Sequence, residues 1–210
     1  FSSADGKLER FVMNGLFPDN TYGNESGGDP ANIPDLTYEE YLDFHRRYYH
    51  PVNSYIYLYG DMDIEERLEW MDQHYLRDFP AIELDSSIPL QKPFTRMKKL
   101  EAEYAVSENE DSDEKTYYAF AAAMDVTLDV KVCKAFEIMA YVLAEMPGAP
   151  LKQALLDAGI GTDIDVDFCD ILRQSYFALT TQNAKAGDRQ RFYDTIHSTL
   201  QEQVKQGLDQ

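Results

Sequence analysis

The sequence predicts an α+β protein in which helices pack on mostly antiparallel sheets. Apolar residues recur at helical spacing in some segments and alternate with polar residues in others. In the second half, the predicted order is strand, strand, helix, helix, strand, strand, helix, which is typical of helices covering one face of a sheet. The 210 residues are 44% hydrophobic and 13% aromatic, which is sufficient for a real core.

The first predicted elements are two helices joined by a loop rich in glycine and proline. A short helix is expected over residues 7–16. Thr37 and Glu40 have the spacing of a capping box, in which the Thr hydroxyl accepts a backbone N–H and the Glu reaches back. A helix should therefore run over 38–50, and Pro51 should end it.

A strand and a third helix follow. Residues 54–59 are dense in aromatic and β-branched side chains, so we expect a buried strand that ends at Gly60. Asp63 is a second N-cap, and a helix should extend over 64–77 before Pro80.

A connector over 81–96, with prolines and no clear periodicity, separates a first region, 1–80, from a second region, 97–210. Alternation and helical spacing divide the second region into seven elements. These are strands over 97–107 and 115–124, helices over 125–145 and 151–158, strands over 163–170 and 175–182, and a helix over 189–206. The strand over 115–124 is the more apolar of the first two, which suits it to the middle of a sheet.

One run of residues is specific enough to suggest a family. It consists of Leu16-Phe17-Pro18-Asp19-Asn20-Thr21-Tyr22-Gly23, Ser26-Gly27-Gly28-Asp29-Pro30, Ile33-Pro34-Asp35-Leu36-Thr37, Phe44-His45, Tyr48-Tyr49-His50-Pro51-Val52-Asn53 and Gly60-Asp61. In order and spacing it resembles the pitrilysin/insulinase family of zinc metallopeptidases, in its presequence-protease branch. The resemblance implies repeated α/β domains, with 1–80 as the C-terminal part of a first domain and 97–210 as the N-terminal part of a second, non-catalytic one.

The sequence departs from the family at its metal site. The family binds zinc through H-x-x-E-H and a more distant Glu, and this sequence has no H-x-x-E-H. We therefore expect an internal segment of a longer peptidase. Zinc is implied for the parent protein, and no catalytic, cofactor-binding or metal-binding residue is predicted in this segment.

None of the four histidines has the sequence context of a metal ligand. His45 and His50 are five residues apart, which places them about 140° apart around a helix, and two arginines lie between them. A metalloprotease helix instead needs two histidines on one face. We expect His45 and His50 to be structural, and His74 and His197 to be structural or solvated.

The acidic and glycine-rich runs also depart from known ion-binding motifs. The alternation of Asp163, Asp165 and Asp167 lacks the Gly and Glu of a calcium-binding loop, so a solvated strand face is expected. The acidic run 108–114 is predicted to be a solvated loop. The run 26–28 lacks the G-K-[ST] ending of a phosphate-binding loop.

Composition excludes some classes of function. A net charge of −19 argues against nucleic-acid binding and permits basic peptides as partners, although acidity that serves only solubility explains it equally well. No apolar run is long enough to span a bilayer. Cys133 and Cys169 are expected to be buried free thiols. A cytoplasmic location is expected, with any targeting signal outside this segment.

Two hypotheses follow. In the first, the chain is a non-catalytic scaffold or chamber segment of a zinc-dependent metalloendopeptidase that degrades peptides. In the second, it is a stand-alone acidic α+β binding or interaction module without enzymatic activity.

Overall fold

The structure is a computed structural model that describes residues 3–109, 112–126 and 129–207. Its helices and strands, in chain order, are α1 (Ala4–Leu16), α2 (Tyr38–Tyr48), α3 (Ile64–His74), β1 (Thr116–Val126), α4 (Val130–Ala140), α5 (Pro150–Asp157), β2 (Asp163–Cys169), β3 (Gln174–Ala184) and α6 (Arg189–Gln206). The α+β prediction is confirmed. No helix in the described part of the chain is long and apolar enough to cross a membrane.

The chain divides into two compact units, which are described separately. Unit 1 comprises residues 1–26 and 89–210, and unit 2 comprises residues 27–88. The predicted boundaries at 80 and 97 refer to domains of a longer parent chain, so they stay a prediction.

The centre of unit 1 is a three-stranded antiparallel sheet in the order β1-β3-β2. Leu179 of β3 lies opposite Phe120 of β1 on one side and opposite Val166 of β2 on the other. Directly opposed residues share a face of the sheet. All three side chains therefore point to the same layer.

Helices α4, α5 and α6 supply that layer. The buried cluster joins side chains from these helices to Leu179 and Val166, with Leu155, Ile160 and Ile196 almost completely buried. A π-helical turn, Tyr141–Glu145, continues α4 and contributes further buried side chains. The helices thus cover one face of the sheet, as predicted.

The opposite face is covered near Phe17, which follows α1 and is completely buried. Its ring makes edge-on contacts with the rings of Tyr22 and Tyr176 at centroid distances of 5.6 and 6.3 Å. Beside it, the side-chain amide of Gln91 makes two hydrogen bonds to Asp19: Nε2 donates to the Asp19 carboxylate, and Oε1 accepts from the Asp19 backbone N–H. These contacts attach the turn after α1 to the rest of unit 1.

Unit 2 contains α2, α3 and short 3-10 turns. The Thr37–Glu40 capping box is present: the Glu40 N–H donates to the Thr37 hydroxyl, and the Thr37 N–H donates to the Glu40 carboxylate. These hydrogen bonds hold the pKa of Glu40 below its usual value. Asp63 accepts the Glu66 N–H at the start of α3. Both predicted caps are confirmed, yet no residue within 27–88 is buried.

Several predicted elements were wrong. Residues 54–59 do not form a buried strand: the segment is unpaired and exposed. Residues 97–107 also form no strand. The strand predicted over 115–124 is present as β1, but it lies at the edge of the sheet, and β3 occupies the middle. Pairing depends on a neighbouring strand, which local alternation does not report.

Most other elements agree with the prediction. The strand 163–170 is β2, with Ile164 and Val166 buried and the aspartates exposed. The long helix expected over 125–145 is shorter, because α4 begins only at Val130 after the Asp129 N-cap. Residues 127 and 128 of that predicted helix lie outside the described residues.

Gly161 provides a test of the packing around β3. Both Gly159 and Gly161 have positive φ, +67° and +73°. A Cβ on Gly161 would lie 2.0 Å from Thr181 Oγ1 and 2.5 Å from the carbonyl oxygen of Gln182, whereas a Cβ on Gly159 would meet nothing within 4 Å.

We expect Gly159→Ala to lower the free energy of unfolding by about 1–2 kcal/mol, the cost of a left-handed conformation for an L-residue. Gly161→Ala should cost about 1–3 kcal/mol more, because it adds overpacking to the same strain. Urea unfolding followed by far-UV circular dichroism measures both variants. An equal loss of unfolding free energy in the two variants would contradict the close contact between position 161 and Thr181 of β3.

Candidate interaction surfaces

The two histidines of the family-like run are engaged in local contacts. The ring of His45 stacks on Tyr49 at a centroid distance of 4.6 Å. His50 follows α2, where its Nδ1 accepts the Val52 N–H at 3.2 Å and its ring meets Phe79 edge-on at 5.3 Å. The Nε2 atom of His50 is buried and has no hydrogen-bond partner among the described residues. Each imidazole is thus engaged in a separate local contact.

The remaining histidines also lie beside aromatic rings. His74 lies 5.0 Å from Trp70, and His197 lies 5.8 Å from Tyr193, between ring centroids. Among the residues that the structure describes, no group of three or more His, Cys, Asp or Glu side chains could hold a metal ion.

Of the three aspartates of β2, one takes part in a defined contact. The Tyr176 hydroxyl donates to the carboxylate of Asp167 at 2.7 Å. Burial, followed by the hydrogen bond and negative charge of Asp167, raises the pKa of Tyr176 well above the usual tyrosine value. The pair therefore consists of a neutral phenol that holds a carboxylate, and it stabilises the β2–β3 pairing.

The other candidates have structural surroundings. Cys133 is buried and Cys169 is half-buried, and both are free thiols. In the acidic run 108–114, Glu114 forms an ion pair with Lys185 at 3.3 Å, and residues 110 and 111 lie outside the described residues. Residues 26 and 27 form a turn, and Gly28 has a φ of +86°.

A large cavity in unit 1 was not predicted from the sequence. It has a volume of about 1920 Å³ and lies along α1, residues 90–106, β1 and α6. Its described lining includes seven basic residues, Lys7, Lys92, Arg96, Lys98, Lys99, Lys115 and Arg189, and three acidic ones, Glu101, Glu103 and Asp125. The basic run 92–99 was a possible signal, because it stands out in an acidic sequence.

Unit 2 has the opposite character, because it is acidic and exposes many large apolar side chains. Residues 27–88 include fourteen Asp or Glu and four Arg or Lys. Its exposed large apolar residues are Ile33, Leu36, Tyr38, Tyr41, Phe44, Tyr49, Val52, Tyr55, Ile56, Tyr57, Tyr59, Ile64, Leu68, Trp70, Tyr75 and Ile82. Exposed apolar surface of this extent marks an interaction site in a folded protein.

The most exposed part of this surface is the segment 54–59. The side chains of Tyr55, Tyr57 and Tyr59 are 106%, 85% and 86% exposed, whereas Ile56 is 51% exposed. The alternation matches the two faces of a β-strand. The sequence predicted a buried strand here, and the structure shows neither the strand nor the burial.

Comparison with known proteins shows the family. The family described as "Peptidase M16 inactive domain" matches residues 35–210. This match covers most of the chain. The chain therefore belongs to the peptidase M16 family, through its inactive domain.

Individual relatives agree with this assignment. Over its whole length the chain is 41% identical to Protein HypA of Clostridium perfringens, of which it covers 22%. It is 32% identical to presequence protease 1, chloroplastic/mitochondrial, of Arabidopsis thaliana, of which it covers 20%. It is 28% identical to the mitochondrial presequence protease of Xenopus laevis, of which it covers 21%. The chain thus spans about a fifth of the length of these relatives, and the predicted resemblance is confirmed.

Trp70, the single tryptophan, allows the two units to be followed separately. It lies on α3 of unit 2 and is 55% exposed. We expect the fluorescence of Trp70 in the 210-residue chain to report unfolding at a lower urea concentration than amide hydrogen exchange of β3 does. The reason is that unit 2 buries no residue, whereas unit 1 has a packed core. Coincident transitions would show that unit 2 is as stable as unit 1.

Proposed function

We propose that this chain is a non-catalytic scaffold segment of a longer zinc-dependent metalloendopeptidase that degrades peptides. The observation that carries the proposal is the match of residues 35–210 to the inactive domain of the peptidase M16 family. Relatives named presequence protease, about five times longer than this chain, support a peptidase as the parent protein.

The residues present here do not fit the zinc ion that the family implies. The H-x-x-E-H motif is absent from the sequence. His45 is stacked on a tyrosine, and His50 uses Nδ1 as a local hydrogen-bond acceptor. Catalysis would therefore use groups from elsewhere in the parent protein, and this segment would contribute walls and support.

A stand-alone acidic interaction module is the second candidate. The concentration of fourteen acidic residues in unit 2 favours it, since such a surface attracts basic partners. The absence of a buried residue within 27–88 argues for the first candidate, because an independent module needs its own core.

The deciding experiment compares the product of the complete reading frame with the 210-residue chain. We expect the complete protein to cleave a labelled unstructured peptide, to lose this activity to a metal chelator and to regain it with zinc. The 210-residue chain should be inactive under every condition. A complete protein that binds peptides without cleaving them would favour the module, and zinc-dependent cleavage by the 210-residue chain would overturn both candidates.

We further propose that the parent protein captures basic peptides. Unit 2 is the surface that suits this role, because its acidic residues outnumber its basic ones. Binding of a basic peptide by the complete protein should weaken steeply as the ionic strength rises, because the screening length falls from about 10 Å at 0.1 M to about 3 Å at 1 M salt. A neutral peptide of equal length is the control. If both peptides respond equally to salt, the acidic surface has no role in capture.

A further inference from the structure

We propose that the large cavity of unit 1 binds an anionic amphiphile, a molecule with one hydrocarbon chain and a carboxylate or phosphate head group. The cavity lies between β1 and residues 91–104, a segment that we call the strap. The strap contains no helix or strand. The proposal goes beyond the proposed function, because it does not depend on peptidase activity.

The first end of the strap is attached near the end of β1. The Gln91 N–H donates to Oε1 of Gln174, and Nε2 of Gln174 donates to the carbonyl oxygen of Met124 at 3.3 Å. Both glutamine side chains are buried. A buried amide that loses its partners costs free energy, so these hydrogen bonds hold the strap at this end of the cavity.

The second end of the strap is attached near the start of β1. The Tyr104 hydroxyl donates to the carbonyl oxygen of Lys115, which precedes β1. The ring of Tyr104 also meets the ring of Tyr117 edge-on, with 5.5 Å between the centroids. The strap therefore contacts both ends of β1, and the cavity lies between these two attachments.

Helices α1 and α6 are joined to the strap as well. Lys7 of α1 donates to the carbonyl oxygen of Glu103, and Arg189 of α6 forms an ion pair with Glu101. An extended acidic peptide lying along β1 would have to pass the attachments at both ends. This geometry favours a ligand that is held whole inside the cavity over a polymer that passes through it.

Apolar side chains supply the surface for a hydrocarbon chain. Phe94, Met97 and Leu100 of the strap line the cavity and are exposed, and Leu8 and Phe11 of α1 also line it. A chain packed against them would remove apolar area from water. The volume of about 1920 Å³ exceeds the roughly 300–1,000 Å³ of a typical small-molecule site, which leaves room for a long chain.

Cationic side chains supply the complement of a head group. Lys92, Arg96 and Lys99 of the strap line the cavity and have no ion-pair partner among the residues that the structure describes. Lys98 differs, because its Nζ lies 4.6 Å from the centroid of the Phe94 ring. Charge-assisted hydrogen bonds to a carboxylate or phosphate are stronger than neutral ones. The three cations therefore favour an anionic ligand.

The acidic residues of the lining do not cancel these charges. Glu101 is paired with Arg189, and the Asp125 carboxylate accepts the Val126 N–H at 2.7 Å. The described lining has seven basic and three acidic residues, although the whole sequence has a net charge of −19. The cavity is thus a local exception to the acidity of the chain, and its charge selects against a neutral lipid.

Displacement of the fluorescent fatty acid cis-parinarate from the complete protein tests the proposal. The competitors are dodecanoate, dodecyl phosphate and dodecanol, which share one chain length. We expect saturable cis-parinarate binding, and we expect dodecanol to bind about ten-fold more weakly than the better anion, because it lacks the charge. The tighter of the two anions identifies the head group. Equal affinity for all three competitors, or no saturable binding, would overturn the proposal.

A charge variant with a matched control locates the site. Arg96→Gln/Lys99→Gln should weaken dodecanoate binding about ten-fold and leave dodecanol binding unchanged. Lys152→Gln/Lys205→Gln removes the same charge outside the cavity lining and should have little effect. Far-UV circular dichroism checks that both variants fold. Equal weakening in the two variants would indicate a general charge effect and would contradict a site in this cavity.

Amide hydrogen exchange tests the same location without any substitution. We expect dodecanoate to slow exchange in the strap, because a bound ligand stabilises the closed form of the segment that covers it. Residues 150–157 of α5, which do not line the cavity, are the internal control. Unchanged exchange in the strap at saturating dodecanoate would overturn the proposal. So would a strap protected by an acidic peptide but by neither anionic amphiphile.

Discussion

Unit 1 depends on the pairing of β3 with a strand on each side. Leu179 lies between Phe120 and Val166, and its burial joins the sheet to the helical layer. The hydroxyl of Thr181, two residues on and on the same face, donates to the carbonyl oxygen of Ile160 and leaves room only for glycine at position 161. The Thr181–Ile160 hydrogen bond and the close approach of Gly161 to Thr181 together fix the position of the turn before β2 against β3.

Unit 2 has no comparable centre. Its two helices contain 11 residues each, which is below the length at which isolated helices are stable in water. The caps at Thr37 and Asp63 define where these helices begin, but a cap contributes only about 1 kcal/mol. Helices of this length gain most of their stability from packing an apolar face. In unit 2 that face is exposed, so these two helices gain little stability from packing within unit 2.

The sequence predicted the features that depend on neighbouring residues. The Thr37–Glu40 box, the alternation in β2 and the bounds of α6 each arise within a few residues, and each is present. The sequence did not predict the state of 54–59 and 97–107, because a strand also needs a partner whose presence no local pattern reveals. The cavity beside β1 was missed for the same reason. Its lining comes from α1, residues 90–106, β1 and α6, which are far apart in the sequence.

The two histidines of the family-like run have local structural contacts on either side of the end of α2. His45 and His50 belong to the run that carries the family resemblance, yet the first serves as a flat surface for Tyr49 and the second as a hydrogen-bond acceptor after α2. Both contacts fix the end of α2 and so determine where residues 54–59 begin. A substitution that kept the ring shape but removed Nδ1 of His50 would disturb this turn. In the part of the run from Phe44 to Asn53, both histidines thus contribute to the turn that joins α2 to residues 54–59.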